Sequence, residues 1–267
     1  MRRLNRWLHL WLSVPFGIVF SIICLTGAIL VFEKEITQAV RSADPVTESI
    51  QKEQDRKPKA LPFFRTVKSI HKYVLIPPKA KGEMSAGKMI VGTTTLVSVV
   101  ILVTGVIWWI PRSRKGLKGR LRVEVRKGWR RFWHDIHVSL GFYSALSLII
   151  MCLTGLTWSF AWSRSLIYGL LGEDVRTERV ESRPSPVSAF AKTAIEEKSK
   201  PKEANVSKPN DKKQKHKSKV RRIVKGWHVG TWGGYFSKTL WFISALIGGT
   251  LPLTGYYLWY KRLKRIR

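Results

Sequence analysis

Acidic side chains are scarce. The chain has 267 residues and carries 17 Asp+Glu against 48 Lys+Arg, a formal charge of +31. Such a balance raises nucleic-acid binding first, but the placement of the cations argues against it. They flank apolar runs: Arg2, Arg3 and Arg6 before the first, Arg112 to Arg131 between the second and third, Lys261 to Arg267 after the last. Charge is missing from deep inside those runs, which fall at 8–32, 89–110, 137–162 and 238–260. Each is close to the ~20 residues a helix needs to cross a bilayer. Cysteine is nearly absent. Cys24 and Cys152 lie inside the first and third runs and read as small packing residues, not a disulfide. There is no Gly-rich nucleotide loop, no flavin or nicotinamide pattern and no Ser/His/Asp constellation. The segments between runs are too short for an enzyme domain. The first run lacks a small-residue cleavage site and leads into Glu33-Lys34-Glu35, so it reads as a mature helix.

What is present predicts an all-α integral membrane protein, a four-transmembrane-helix bundle. Short basic loops face the cytoplasm. That puts both termini (1–7 and 261–267) and the 111–136 loop inside, and segments 33–88 and 163–237 outside. The second outer segment is lysine-rich, against the rule, but long loops cross largely regardless of charge. Its low-complexity tract, 198–219, has little to bury and is expected to be disordered. The first outer segment predicts a short helix from about Leu61 to Tyr73. Trp7, Trp11, Trp108, Trp109, Trp133, Trp162, Trp241 and Trp259 lie near run ends, as interfacial belts do.

The runs echo one another. His9 is followed by Cys24-Leu25-Thr26-Gly27, and His137 by Cys152-Leu153-Thr154-Gly155, each threonine seventeen residues after its histidine. In a helix that spacing is about 26 Å. Thr104-Gly105 in the second run and Thr254-Gly255 in the fourth are preceded by His71 and His228. The chain therefore reads as two repeated two-helix units, related about an axis along the membrane normal.

Histidine at a repeated intramembrane position points to function. Two imidazoles from opposite helices can supply both axial positions of a haem iron. The porphyrin is a wide apolar plate, so neighbouring helices need small residues beside it. Antiparallel helices put Gly105 and Gly255 at the depth of His9 and His137, and Gly27 and Gly155 at the depth of His71 and His228. The reading is two stacked sites, His9/His137 inside and His71/His228 outside. The plainer alternative is that an interfacial histidine anchors its helix and a membrane glycine marks close packing. His134, one turn before His137, is the rival ligand, but it breaks the repeat and reads as interfacial or as a propionate contact. His216 lies in the lysine tract and reads as solvated.

These motifs resemble those of the PepSY-associated transmembrane family. The first helix is carried by Arg2-Arg3-Leu4-Asn5-Arg6-Trp7-Leu8-His9 and Leu25-Thr26-Gly27-Ala28. Asp135-Ile136-His137-Val138 with Leu153-Thr154-Gly155 matches the third, and Trp227-His228-Val229-Gly230 with Leu253-Thr254-Gly255 the fourth. Ile70-His71-Lys72-Tyr73 and Val103-Thr104-Gly105-Val106-Ile107-Trp108-Trp109 match the loop histidine and second helix. Ser13 departs from the repeat, which has Gly141 there, and Pro15 implies a local adjustment of the first helix. Neither outer segment shows a clear PepSY domain. The resemblance implies an inner-membrane electron carrier with two haem b groups, reducing a ferric siderophore or another ferric chelate at the periplasmic face. Its donor would be a cytoplasmic protein or a quinol. A haem subunit serving another periplasmic partner, and a non-redox transporter or assembly protein, stand as alternatives.

Overall fold

The computed structural model describes residues 2–43, 61–79, 84–111, 114–172 and 211–264. Among these, every regular element is helical: α1 (Arg2–Val31), α2 (Glu33–Ser42), α3 (Pro62–Tyr73), α4 (Ala86–Trp109), α5 (Arg114–Leu121), α6 (Trp129–Ser159), α7 (Ala161–Leu170), α8 (Asp211–Val229) and α9 (Gly234–Leu263). Three stretches are long and apolar enough to cross a membrane: Arg3–Val31, Ala86–Trp109 and Trp129–Ser159. The fourth long helix, α9, has 30 residues. Its glycines, threonines and tyrosines, with Lys238 near one end and Lys261 and Arg262 near the other, dilute the apolar stretch expected at 238–260.

Helix α1 packs against α4 and α9, and α6 packs against the same two. The four thus close a ring, with α1 opposite α6. Small residues set how closely they approach. A Cβ on Gly17 would lie 2.5 Å from the Tyr256 hydroxyl, and one on Gly249 would lie 2.7 Å from Leu25. Both glycines sit in the α1–α9 contact, where van der Waals packing rather than apolar burial from water holds membrane helices together. Phe20, Cys24, Leu102, Leu148 and Cys152 form the mid-depth core, and both thiols are free and buried. Ser147 and Ser244 join α6 to α9 through an Oγ–Oγ hydrogen bond of 2.8 Å. Pro15 lies inside an unbroken α1, and the Tyr256 hydroxyl donates to the nearby Val14 carbonyl at 2.7 Å.

The start of α1 and the end of α9 share one end of the ring, the proximal end. At this end α6 begins at Trp129, well before the position 137 expected from apolarity alone. Asp135 holds that polar first stretch. It is buried and accepts from Arg131 Nε at 2.8 Å and from the Glu124 backbone N–H at 3.3 Å.

At the distal end, the helix expected over Leu61–Tyr73 is α3, with Pro62 at its first turn, where a missing N–H costs nothing. It ends on Val74 and Leu75, both left-handed at φ 47 and 67. The lysine-rich tract expected to be disordered is helical from Asp211 onward, as the start of α8. Lysine is a good helix former. The rest of that tract, 198–210, lies outside the described residues.

Candidate functional site

Four of the six histidines meet in two pairs. At the proximal end, His9 from α1 and His137 from α6 face each other with ring centroids 6.3 Å apart. At the distal end, His71 from α3 and His228 from α8 do the same at 6.2 Å. Both proximal histidines ride on long helices of the ring, whereas both distal ones are carried by shorter elements laid over its end. His134 stays outside the pairs. It is half exposed, and its Nδ1 bonds Asp135 at 3.2 Å.

The rings are held in one way throughout. His9 Nδ1–H donates to the Ile101 carbonyl at 3.0 Å, beside Thr104 Oγ1 at 3.5 Å. His71 Nδ1–H donates to the Ile23 carbonyl at 2.9 Å, beside Thr26 Oγ1 at 3.2 Å. His228 Nδ1–H donates to the Met151 carbonyl at 3.0 Å, beside Thr154 Oγ1 at 3.1 Å. His137 Nδ1–H donates to Thr254 Oγ1 at 2.8 Å and to the Leu251 carbonyl. In every case the carbonyl belongs to the residue three before the threonine of a Thr-Gly pair. Each threonine spends its own hydroxyl proton on its helix, as Thr104 does on the Val100 carbonyl at 2.8 Å. A carbonyl can only accept, so the proton must reside on Nδ1 and the lone pair on Nε2.

The glycines follow the same pairing. A Cβ would come within 3.1 Å of His9 Cε1 at Gly105, 3.1 Å of His71 Cε1 at Gly27, 3.2 Å of His228 Cε1 at Gly155 and 3.6 Å of His137 Cε1 at Gly255. The clearance they provide is therefore for the edge of an imidazole. The Thr-Gly pair is one device: threonine and its carbonyl catch Nδ1, and glycine lets the ring lie against the helix. Sequence reading found the glycines but missed the threonines, although the invariant Thr before each Gly was visible in the repeat.

Burial lowers the proton affinity of the distal imidazoles. His228 is pushed down to about 4 by burial, with the adjoining His71 adding to the effect. His71 is also held below the ordinary histidine range by burial, and slightly further by Lys72. Both are neutral at pH 7, the state that ligates a metal.

The geometry fits an iron porphyrin. A metal–imidazole bond of about 2.0 Å, with about 1.1 Å from nitrogen to ring centre, spans about 6.2 Å when taken on both sides. Among the described residues no group of three or more His, Cys, Asp or Glu side chains gathers. Two imidazoles leave a bare ion short of the four or more ligands it takes. A cofactor bringing its own planar donors would complete such a set, with His9 and His137, or His71 and His228, as the residues that would hold it.

No curated protein and no solved structure matches this chain. The family model of the PepSY-associated TM region does, over residues 6–59 and 41–262. Those matches take in every histidine pair and every Thr-Gly device, and the chain belongs to the PepSY-associated TM family.

Proposed function

We propose that the protein is a di-haem electron conduit of the bacterial inner membrane, reducing a ferric chelate such as a siderophore at the periplasmic face. The observation that carries this reading is the doubled imidazole pair, each ring with Nδ1–H engaged and Nε2 free, at a separation suited to one intervening metal. The reading includes α9 as a fourth span and two repeated two-helix units. Both termini are cytoplasmic, as the basic residues at the proximal end favour.

Haem at each level supplies a one-electron Fe(III)/Fe(II) couple. The chain's own residues do the rest. His9 and His137 hold the inner group, and His71 and His228 the outer. The four Thr-Gly devices fix tautomer and ring orientation, which also raises the basicity of the ligating nitrogen. The core of Phe20, Cys24, Leu102, Leu148 and Cys152 keeps water out between the two levels. With His71 and His228 both holding the outer group, an acceptor would be reduced without binding the iron directly. Reduction of Fe(III) in an oxygen-ligand chelate weakens its binding, which suits iron release outside. Electrons come from a cytoplasmic protein or a quinol.

The test is optical. Protein purified after haem-replete expression should show b-type bands in a reduced-minus-oxidised spectrum, at two haems per chain. His9→Ala and His137→Ala should each remove the same haem, and His71→Ala and His228→Ala the other. No b-type bands would sink the reading. Dithionite-reduced protein should reoxidise on mixing with a ferric siderophore; absence of reoxidation across several chelates would assign the haems to another periplasmic partner.

A further inference from the structure

We infer that Trp109 and Arg120 form the carboxylate-binding corner of the proximal site, Trp109 donating a hydrogen bond to a haem propionate and Arg120 supplying the opposing charge. This rests on the haem reading above. The indole Nε1–H of Trp109 is buried with no hydrogen-bond partner among the described residues. An indole N–H can only donate, and a buried donor left unpaired costs about 1–3 kcal/mol. Such a group calls for an acceptor that the described residues do not provide.

Its neighbours fix where that acceptor lies. Trp109 stands one helical turn beyond Gly105, on the same face of α4. The preceding Trp108 ring packs edge-on against His9, with centroids 6.0 Å apart. Trp109 itself lies flat on Phe142 of α6, centroids 3.7 Å apart and planes 9° from parallel. Phe142 is five residues beyond His137 on that helix. The indole is thus wedged between the helix whose Gly105 seats His9 and the helix that carries His137. The stack locks its plane, so the direction of the N–H is set by packing.

Arg120 brings charge to the same place. Its Nη1 donates to the Trp109 carbonyl at 2.5 Å and to the Trp108 carbonyl at 3.2 Å. These carbonyls close α4 and carry the negative end of its dipole, which favours a cation there. No carboxylate among the described residues pairs with Arg120. One guanidinium nitrogen is engaged, and the rest of the fork remains for a planar acceptor. A neutral N–H in the apolar layer beside a full charge at its edge suits a carboxylate that projects from an apolar plate towards water. A lipid phosphate offers similar oxygens, and the test must separate the two sources.

The measurement is the midpoint potential of the proximal haem in the full protein, with the distal haem as internal reference, together with the propionate bending band in resonance Raman. Trp109→Phe keeps the stack on Phe142 and removes only the N–H. It should shift the Raman band and lower the proximal potential, because a less neutralised propionate favours ferric iron. Arg120→Gln should lower the potential further and Arg120→Lys restore part of it. The distal potential and the low-spin bis-histidine spectrum should not move. The shifts should be the same in lipid-free detergent and in phosphatidylglycerol nanodiscs. Shifts seen only with the phospholipid would give the corner to a headgroup and overturn the inference, as would a bound proximal haem indifferent to all three substitutions. If Trp109→Phe does not fold, the two Arg120 variants decide alone. Wild-type protein without haem would instead overturn the functional reading.

Discussion

At the scale of single residues, the four glycines are not equivalent. Gly105 and Gly27 face their imidazoles with only 3.1 Å to spare for a Cβ, whereas Gly255 has 3.6 Å. The first distance is tighter than ordinary packing tolerates and the second is a normal contact. Gly105→Ala and Gly27→Ala should therefore push His9 and His71 off their carbonyl partners, at a cost of about 1–3 kcal/mol for the overpacking. Gly255→Ala should be tolerated. Haem content of the purified variants checks this: one haem lost from each of the first two and none from the third. Equal retention in all three would mean that the rings are not held against these helices. The threonines behave differently, because a Thr→Val change keeps the shape and the carbonyl while losing only the Oγ acceptor. That asymmetry explains why glycine was the easier half of the motif to read. A missing side chain stands out in an apolar run, but a threonine there passes as a residue satisfied by its own helix until the partner ring is seen beside it.

Among the elements, α3 is the one whose placement depends most on backbone. It reaches α4 through Val74 and Leu75, both left-handed, and such a conformation costs an L-residue roughly 1–2 kcal/mol. The tight turn brings the Tyr73 and Ile76 carbonyls onto Gly87, where a Cβ would overlap both oxygens. Lys68, one turn before His71, also pairs with Glu33 of α2. Gly87→Ala should force α3 away from α4 and cost the distal haem while leaving the proximal one, read as a halved haem-to-protein ratio with retained His9/His137 bands. Loss of both haems, or of neither, would contradict this division. The helix itself was legible from Pro62 and the pattern through Tyr73. Its attachment was not, because nothing in the sequence marks a valine as left-handed or shows that Gly87 lies under the Tyr73 and Ile76 carbonyls. The repeat already paired His71 with His228 across 157 positions; what it did not mark is that α8, not a membrane helix, carries His228. Helix α6 begins before the apolar run for a related reason: apolarity marks where a helix enters lipid, not where it begins, and the buried Asp135 extends it through polar residues.

Across the whole molecule, the two ends are built differently. The proximal imidazoles belong to the ring helices, whereas the distal ones hang on α3 and α8. Acid should expose this. The ordinary histidine value is 6.5, and His228 in the folded chain lies at about 4. The folded state thus binds fewer protons than the unfolded one in this window. The stability that neutral His228 and His71 contribute is present in full above about pH 6.5 and is lost as pH falls towards about 4. Haem-free protein in detergent should show a falling Tm across that interval, and His71→Phe/His228→Phe protein a flatter one. A wild-type Tm independent of pH between 7 and 4 would show that these imidazoles are not buried neutral.

One further difference separates the ends. The planes of His9 and His137 are 82° apart, those of His71 and His228 only 55°. When two axial imidazoles stand nearly crosswise, each donates into a different π-symmetry orbital of the metal, and those orbitals stay almost equal in energy. Turning one plane towards the other splits them. Were a metal held between each pair, the two sites would be magnetically distinguishable, set apart by the torsion of a ring about its hydrogen-bonded nitrogen.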